Sequence, residues 1–129
     1  MPVHVIVETW DRRRVFSDRR RARAVWGLLS ADRQTLSAVL MPDHLHWIVL
    51  PEAELANTVG RFKSRSCHSV LRCGWRDRLW QRSYFATPLR SAAILRWTVR
   101  YTHANPVRAG LVTRSADYSW CLPRGQASR

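Results

Sequence analysis

The sequence predicts an α+β fold in which helices pack on a central antiparallel sheet. Short segments rich in β-branched residues alternate with longer amphipathic segments of helical period. Met41, Pro42 and Asp43 interrupt two adjacent strand-like segments, which indicates a hairpin or bent strand pair rather than a purely parallel sheet. The 129 residues, 46% of them hydrophobic, predict one domain over residues 1–129 with one core.

The first half of the chain supplies most of the predicted sheet. Its predicted strands are residues 4–10, 15–16, 36–40 and 44–50. Between the second and third of these, Asp18 is the predicted N-cap of a helix of about three turns. The buried stripe of that helix contains Ala22, Val25, Leu28 and Leu29.

The second half supplies two helices with a strand between them. A helix is predicted over residues 52–72, with Leu55, Val59, Phe62 and Val70 near one stripe. A strand over residues 79–85 is expected to end at Pro88. Ser91 then caps a helix that places Ile94, Trp97 and Tyr101 on one face. That helix ends near residue 104, because a residue before proline is driven out of the helical region, and the tail from Ser115 is expected to be irregular.

Charge is the strongest bulk signal. Lys and Arg number 22 against 9 Asp and Glu, a formal net charge of +13, and Lys63 is the only lysine. Arginine binds phosphate bidentately and stacks on bases, and plentiful Trp and Tyr add stacking surfaces, so the pattern favours a nucleic-acid partner. A compositional enrichment in arginine without function is the alternative. The predicted contacts are Arg12, Arg13, Arg14, Arg61, Lys63 and Arg65.

The sequence also indicates where the protein works. It contains no apolar run of about 18 residues, which argues against a membrane span. The N-terminus lacks the features of a secretory signal. Cys67, Cys73 and Cys121 are odd in number and lack a C-x-x-C spacing, which argues against a disulfide framework or a cysteine-rich zinc site. We therefore expect a cytoplasmic, nucleoid-associated protein.

Two histidines provide a candidate metal site. His44 and His46 flank Leu45 in a predicted strand, so both imidazoles project from one face, roughly 6–7 Å apart at the backbone. That spacing suits two ligands of one ion. Two surface histidines on a solvated strand face are the alternative, since the pattern is short and common.

Tyr101 and Asn105 lie four residues apart at a helix end and share a face. The Asn105 amide oxygen is a candidate third ligand, and the Tyr101 hydroxyl would lie beside it. Such a site suits Mg²⁺ or Mn²⁺ holding a phosphodiester that the phenolate attacks, with Arg100 or Arg108 stabilising the phenolate. The alternatives are a Tyr101 that belongs to the core and an Asn105 that acts only as a cap.

Several blocks together resemble a known family. Residues 41–50 (MPDHLHWIVL) resemble the His-hydrophobic-His strand of the single-tyrosine transposases. Residues 79–85 (LWQRSYF), 101–112 (YTHANPVRAGLV) and 117–120 (DYSW) resemble the C-terminal half of the REP-associated tyrosine transposases, a branch of the IS200-like HUH superfamily. The blocks occur in the family's order and spacing and cover most of the chain from residue 36 to residue 120.

The resemblance implies a ferredoxin-like sandwich of the HUH endonuclease type. It also implies metal-dependent cleavage of single-stranded DNA next to a hairpin, through a 5′-phosphotyrosine and a free 3′-hydroxyl. His44 and His46 match the metal ligands, Tyr101 the nucleophile and Asn105 the third polar ligand. Asp43 stands where the family frequently has asparagine, which adds negative charge near the metal. The rival tyrosines are Tyr84 and Tyr118.

Three functions remain open at this point. The first is a DNA strand transferase that acts on single-stranded or hairpin DNA as a monomer or homodimer. The second is a catalytically inactive, domesticated DNA- or RNA-binding domain of the same fold. The third is a metal-dependent hydrolase that uses water instead of tyrosine.

Overall fold

The computed structural model describes residues 1–123 of the chain. Its strands are β1 (Val3–Glu8), β2 (Thr35–Leu40), β3 (His44–Val49), β4 (Phe85–Pro88) and β5 (Cys121–Leu122). Its α-helices are α1 (Arg19–Ala31), α2 (Leu55–Arg72), α3 (Ala92–His103) and α4 (Asn105–Arg108). In this part of the chain, no helix is both long enough and apolar enough to span a bilayer.

The five strands form one antiparallel sheet in the order β4-β1-β3-β2-β5. The succession from β1 to β4 is strand–helix–strand–strand–helix–strand, the ferredoxin-like pattern. The predicted α+β class and the ferredoxin-like sandwich are therefore confirmed. In the register of β1 with β3, Ile6 lies opposite His46 and Glu8 opposite His44.

One face of the sheet forms the main core, and the other carries the candidate site. Successive side chains of a strand alternate between faces, so Val5 and Val7 share the face of Leu45 and Trp47, and all four are buried. Helices α1 and α2 cover this face and form the main core. Their buried residues include Ala22, Val25, Leu29, Val59, Phe62 and Val70. The opposite face carries both predicted metal histidines and is approached by α3 and α4.

Helix α3 turns its polar side inward. Its buried residues are Thr98, Thr102 and His103, and each threonine hydroxyl donates to the carbonyl four residues earlier. The apolar residues Ile94, Trp97 and Tyr101 share a face, as predicted, and that face is exposed. An amphipathic helix normally packs its apolar side chains against the core, but those of α3 lie on the surface of the protein.

Three predicted elements were wrong. Val15 and Phe16 are buried in a short 3₁₀ turn rather than a strand. The strand predicted over residues 79–85 begins only at Phe85, because Trp80 pairs with Thr9 in an isolated bridge and its indole donates to the Ser66 hydroxyl. The tail contains a 3₁₀ turn and β5, which extends the sheet beside β2. The residues of the tail after position 123 lie outside those that the structure describes.

Lys63 holds the loop before β4. Its ammonium group donates to the carbonyls of Gln81, Arg82 and Ser83 at 2.7, 2.9 and 3.4 Å. A lysine has three N–H donors, so these contacts occupy all of them, and burial lowers the pKa of Lys63. We therefore assign Lys63 to anchoring this loop and omit it from the proposed DNA surface.

Candidate active site

The predicted metal and nucleophile residues line one pocket. This open pocket, about 350 Å³ in volume, lies between β3 and the junction of α3 and α4, on the sheet face away from the main core. It is lined by Met41, His44, His46, Tyr101, Asn105, Arg108 and Ala109. The fold therefore brings together side chains from two distant parts of the chain.

Asp43 orients His44. Its Oδ1 lies 2.7 Å from Nδ1 of His44, so Nδ1–H donates to the carboxylate and Nε2 is the ring nitrogen left for another ligand. The other carboxylate oxygen accepts from Arg12, which also bonds Glu8 at 2.8 Å. Burial raises the pKa of Asp43, but the hydrogen bond and charge of His44 and the charge of Arg12 outweigh it, so the pKa lies below its usual value. The carboxylate thus stays ionised beside the histidine.

The turn after β1 places Arg12 next to Asp43. Asp11 and Arg12 have φ values of 57° and 51°, in the left-handed region that non-glycine residues rarely adopt. The buried Thr9 holds the turn through its backbone N–H and its hydroxyl, which both donate to the Asp43 carbonyl at 3.0 Å. Backbone strain of this kind is typical of functional sites.

His46 is held by partners on both ring nitrogens. Its Nδ1 lies 3.0 Å from Nε2 of His4, and its Nε2 lies 2.6 Å from the amide nitrogen of Asn105. Since the Asn105 amide donates, Nε2 carries a lone pair and Nδ1 carries the proton that is donated to His4. Burial, followed by the charges of His44, His4 and Arg108, lowers the pKa of His46 to about 3. His46 is therefore neutral, the form that binds a metal.

Sequence reasoning missed His4. It lies on β1, stacks on His46 with ring centroids 5.2 Å apart, and fixes the proton position of that ring. A single histidine near the start of a strand has no motif around it. Only the pairing of β1 with β3, which brings together residues 42 positions apart, reveals its role.

The low pKa of His46 predicts a loss of stability in acid. Below pH 6.5 the unfolded chain protonates this imidazole, whereas the folded chain resists protonation until about pH 3, so its contribution to stability falls through that window. His46→Gln removes the titration. In metal-free buffer we expect the melting temperature of the wild type to exceed that of His46→Gln at pH 7. The difference between the two melting temperatures should narrow as the pH falls to 4. A difference that stays constant across this range would contradict the assignment.

Asn105 directs its amide nitrogen, and not its amide oxygen, towards His46. Its amide oxygen accepts from the Arg108 guanidinium, and its amide nitrogen faces His46. A role as third metal ligand therefore requires the amide to turn over. Among residues 1–123 no group of three His, Cys, Asp or Glu side chains converges, so a cation here depends on the two histidines and on neutral or substrate oxygens. Two imidazoles whose Nδ1 atoms are held by Asp43 and His4, and whose Nε2 atoms remain as ligands, fit that need.

Tyr101 is held between two flat groups. The indole of Trp97 stacks on one side, with centroids 4.9 Å apart and planes 18° from parallel. The guanidinium of Arg108 lies 4.3 Å from the ring centroid and also donates to the Tyr101 carbonyl at 2.7 Å. The side chain is nevertheless 47% exposed. The phenol is thus fixed in orientation but open to a large substrate.

The other two tyrosines are placed differently. The Tyr118 hydroxyl donates to the Leu40 carbonyl at 2.5 Å, and burial raises its pKa well above the usual value. Tyr84 is partly buried against the main core, with Lys63 above its ring. Neither lines the histidine pocket.

The arginines predicted to contact DNA lie on two sides of the protein. Arg12 and Arg13 belong to the turn after β1 and pair with acidic residues. Arg14 lines a second groove, of about 330 Å³. This groove lies beside the histidine pocket, because Pro42 lines the groove and its chain neighbour Met41 lines the pocket. Arg61 and Arg65 lie on α2, which covers the other face of the sheet.

Comparisons with known proteins give a family and a shared fold. Residues 1–105 match the family described as transposase IS200-like. The structure of a REP-associated tyrosine transposase bound to a REP hairpin is similar, with a TM-score of 0.73, 23% identity, and coverage of 93% of this chain and 74% of that one. A protein from Deinococcus radiodurans R1 assigned as a transposase has a TM-score of 0.53 and 18% identity, covering 76% and 85%. At these identities the likeness establishes a shared fold. Comparison with curated proteins gave no match.

Proposed function

The chain belongs to the IS200-like transposase family, and from that premise we propose that it nicks and rejoins single-stranded DNA with Tyr101 as the nucleophile. The observation that carries the proposal is the pocket shared by Tyr101 and two histidines whose rings are held through Nδ1 by Asp43 and His4. Tyr101 is the tyrosine that is both exposed and in that pocket.

The proposed reaction exchanges one phosphodiester for another. The Tyr101 oxygen loses its proton to solvent and attacks the scissile phosphorus, and the bond from phosphorus to the 3′-oxygen breaks. The 3′-oxygen takes up a proton and leaves as a free hydroxyl, while the 5′-phosphate stays on Tyr101. Attack by a 3′-hydroxyl reverses these steps, so rejoining needs no outside energy source.

The residues around the nucleophile have separate tasks. Trp97 and Arg108 orient the phenol, and the Arg108 charge stabilises the phenolate and the phosphate it attacks. His44 and His46, with Asn105 once its amide has turned over, would hold Mg²⁺ or Mn²⁺, which would polarise the scissile phosphate as a Lewis acid. Asp43 holds the His44 ring and His4 holds the His46 ring, each through a hydrogen bond at Nδ1.

We propose single-stranded DNA beside a hairpin as the substrate. The net charge of +13 supports a polyanion, and the open pocket admits a strand that is not paired. The similar REP-associated transposase was solved with a REP hairpin bound. Its shared fold makes a hairpin with a single-stranded tail the natural first substrate to test.

A covalent adduct tests the function directly. The protein is incubated with a 5′- and 3′-labelled hairpin oligonucleotide and Mn²⁺, denatured, and separated by size. We expect the 5′-phosphate fragment to migrate with the protein and the other fragment to end in a free 3′-hydroxyl. Nicking without an adduct would instead support a hydrolase that uses water, and binding without nicking would support an inactive DNA-binding domain.

DNA affinity should depend steeply on salt. Each phosphate contact releases counterions, so the slope of log affinity against log salt should be about −0.7 per contacted phosphate of a single strand. Arg14 lies beside the histidine pocket and Arg61 on the far face of the sheet. We expect Arg14→Gln to make the slope shallower by about 0.7 and Arg61→Gln to leave it unchanged. Equal effects of the two variants would show that DNA also contacts α2.

A further inference from the structure

Trp97 lies on the exposed face of α3, and in the part of the chain that the structure describes Tyr101 is its only ring contact. We propose that Trp97 is a stacking platform for an unpaired DNA base adjacent to the phosphate that Tyr101 attacks. The proposal rests on the proposed function, because it places the base relative to that nucleophile. It gives Trp97 a DNA-binding role in addition to its contact with the Tyr101 ring.

Geometry gives Trp97 one covered ring face and one open one. Its side chain is 62% exposed although tryptophan is among the residues most favoured in cores and interfaces. Tyr101 covers one face of the indole, and among residues 1–123 no other ring and no cationic group stacks on it. Arg108, Tyr101 and Trp97 thus form a three-layer stack, and a base on the open face would be its fourth layer.

Charge identifies the occupant as nucleic acid. Residues 78–116 contain no Asp or Glu, and their arginines are Arg78, Arg82, Arg90, Arg96, Arg100, Arg108 and Arg114. Arg96 and Arg100 flank Trp97 on α3, are exposed, and form no ion pair within the described residues. A second copy of this chain would bring the same positive charges together, whereas a DNA strand supplies phosphates for the arginines and a flat base for the indole.

Stacking explains what Trp97 adds to the reaction. A base stacked on Trp97 lies two layers from Tyr101 and fixes one end of the nucleotide, so its phosphate is delivered to the Tyr101 hydroxyl in a restricted set of positions. Every base has a flat face, so this contact tolerates different sequences. Trp97 therefore positions the strand for cleavage without dictating which base is bound.

Removing the ring and removing the base should have the same effect. Binding is measured on Tyr101→Phe, which keeps the ring stack and prevents cleavage, with a hairpin carrying a short single-stranded tail. Adding Trp97→Ala or Trp97→Leu should lower affinity roughly 5- to 150-fold, and Trp97→Phe should lower it less. An abasic site at one tail position should weaken binding to the protein with Trp97, but not weaken it further with Trp97→Ala.

Ile94→Ala is the matched control, because Ile94 lies on the same face of α3 and is also half exposed. We expect it to leave affinity and the abasic-site profile unchanged. The proposal is overturned if abasic sites weaken both proteins equally at every tail position, or if Trp97→Leu binds as well as Trp97. It is also overturned if sedimentation shows a dimer that Trp97→Ala dissociates, since a second copy would then cover this face.

The two proposals fail separately. One outcome is that the wild-type protein forms no adduct while one abasic position weakens DNA binding only when Trp97 is present. In that case Trp97 is the stacking platform and the assigned chemistry is wrong. If the adduct forms normally and no position shows that dependence on Trp97, the chemistry stands and the platform is wrong.

Discussion

Tyr101→Phe should eliminate the covalent protein–DNA adduct and reduce strand cleavage by at least about 1000-fold. The substitution removes one oxygen and nothing else. The phenyl ring that remains after the hydroxyl is removed fits the same site without rearrangement and still stacks between Trp97 and Arg108. We therefore expect the melting temperature and the affinity for hairpin DNA to stay close to those of the wild type.

The other tyrosines provide matched controls. Tyr84→Phe and Tyr118→Phe remove the same atom from positions outside the pocket, and both variants should form the adduct. Tyr118→Phe should melt at a lower temperature, since it loses the hydrogen bond to the Leu40 carbonyl. An adduct that persists in Tyr101→Phe and disappears in Tyr84→Phe would show that Tyr101 is not the nucleophile.

Removing either pocket histidine should abolish metal-dependent cleavage. His44→Ala and His46→Ala each delete one of the two Nε2 atoms proposed to bind the ion, and among residues 1–123 no third His, Cys, Asp or Glu side chain converges to replace it. Calorimetric titration with Mn²⁺ should show no saturable binding at concentrations that saturate the wild type. Nicking in Mn²⁺ and in Mg²⁺ should be lost together.

Two further variants make this test selective. His68→Ala removes an exposed histidine on α2, remote from the pocket, and should leave Mn²⁺ binding and nicking unchanged. Asp43→Ala keeps both imidazoles but frees the His44 ring, so metal affinity should fall by about 10- to 100-fold rather than vanish. Full nicking activity in His44→Ala would mean that the histidines are not metal ligands.

Periodicity predicted most of the fold. Strands β1, β2 and β3 and helices α1, α2 and α3 all lie where the alternation of apolar residues places them. The start of β4 was missed because Trp80 is buried by distant contacts with Thr9 and Ser66, which no local pattern encodes. Strand β5 has two residues, too few to show any period.

The four candidate site residues could be proposed from the sequence, whereas the contacts that support them could not. His44 and His46 lie two positions apart in one strand, and Tyr101 and Asn105 lie one turn apart, so short spacing connects each pair. The contact of His4 with His46 depends on strand register. The apolar spacing on α3 predicted a shared face, but only tertiary structure shows that this face points outward.

The polar inner side of α3 bears on how firmly Tyr101, the proposed nucleophile, is held. Helices α1 and α2 dock through Val, Leu and Phe side chains, while α3 buries two threonines and a histidine. The fully buried side chains of α3 are polar, so we expect local opening of this helix to cost less free energy than opening either core helix. The proposed nucleophile thus lies on the helix that we expect to open most easily of the three, and that motion would carry an attached DNA end between two joining partners.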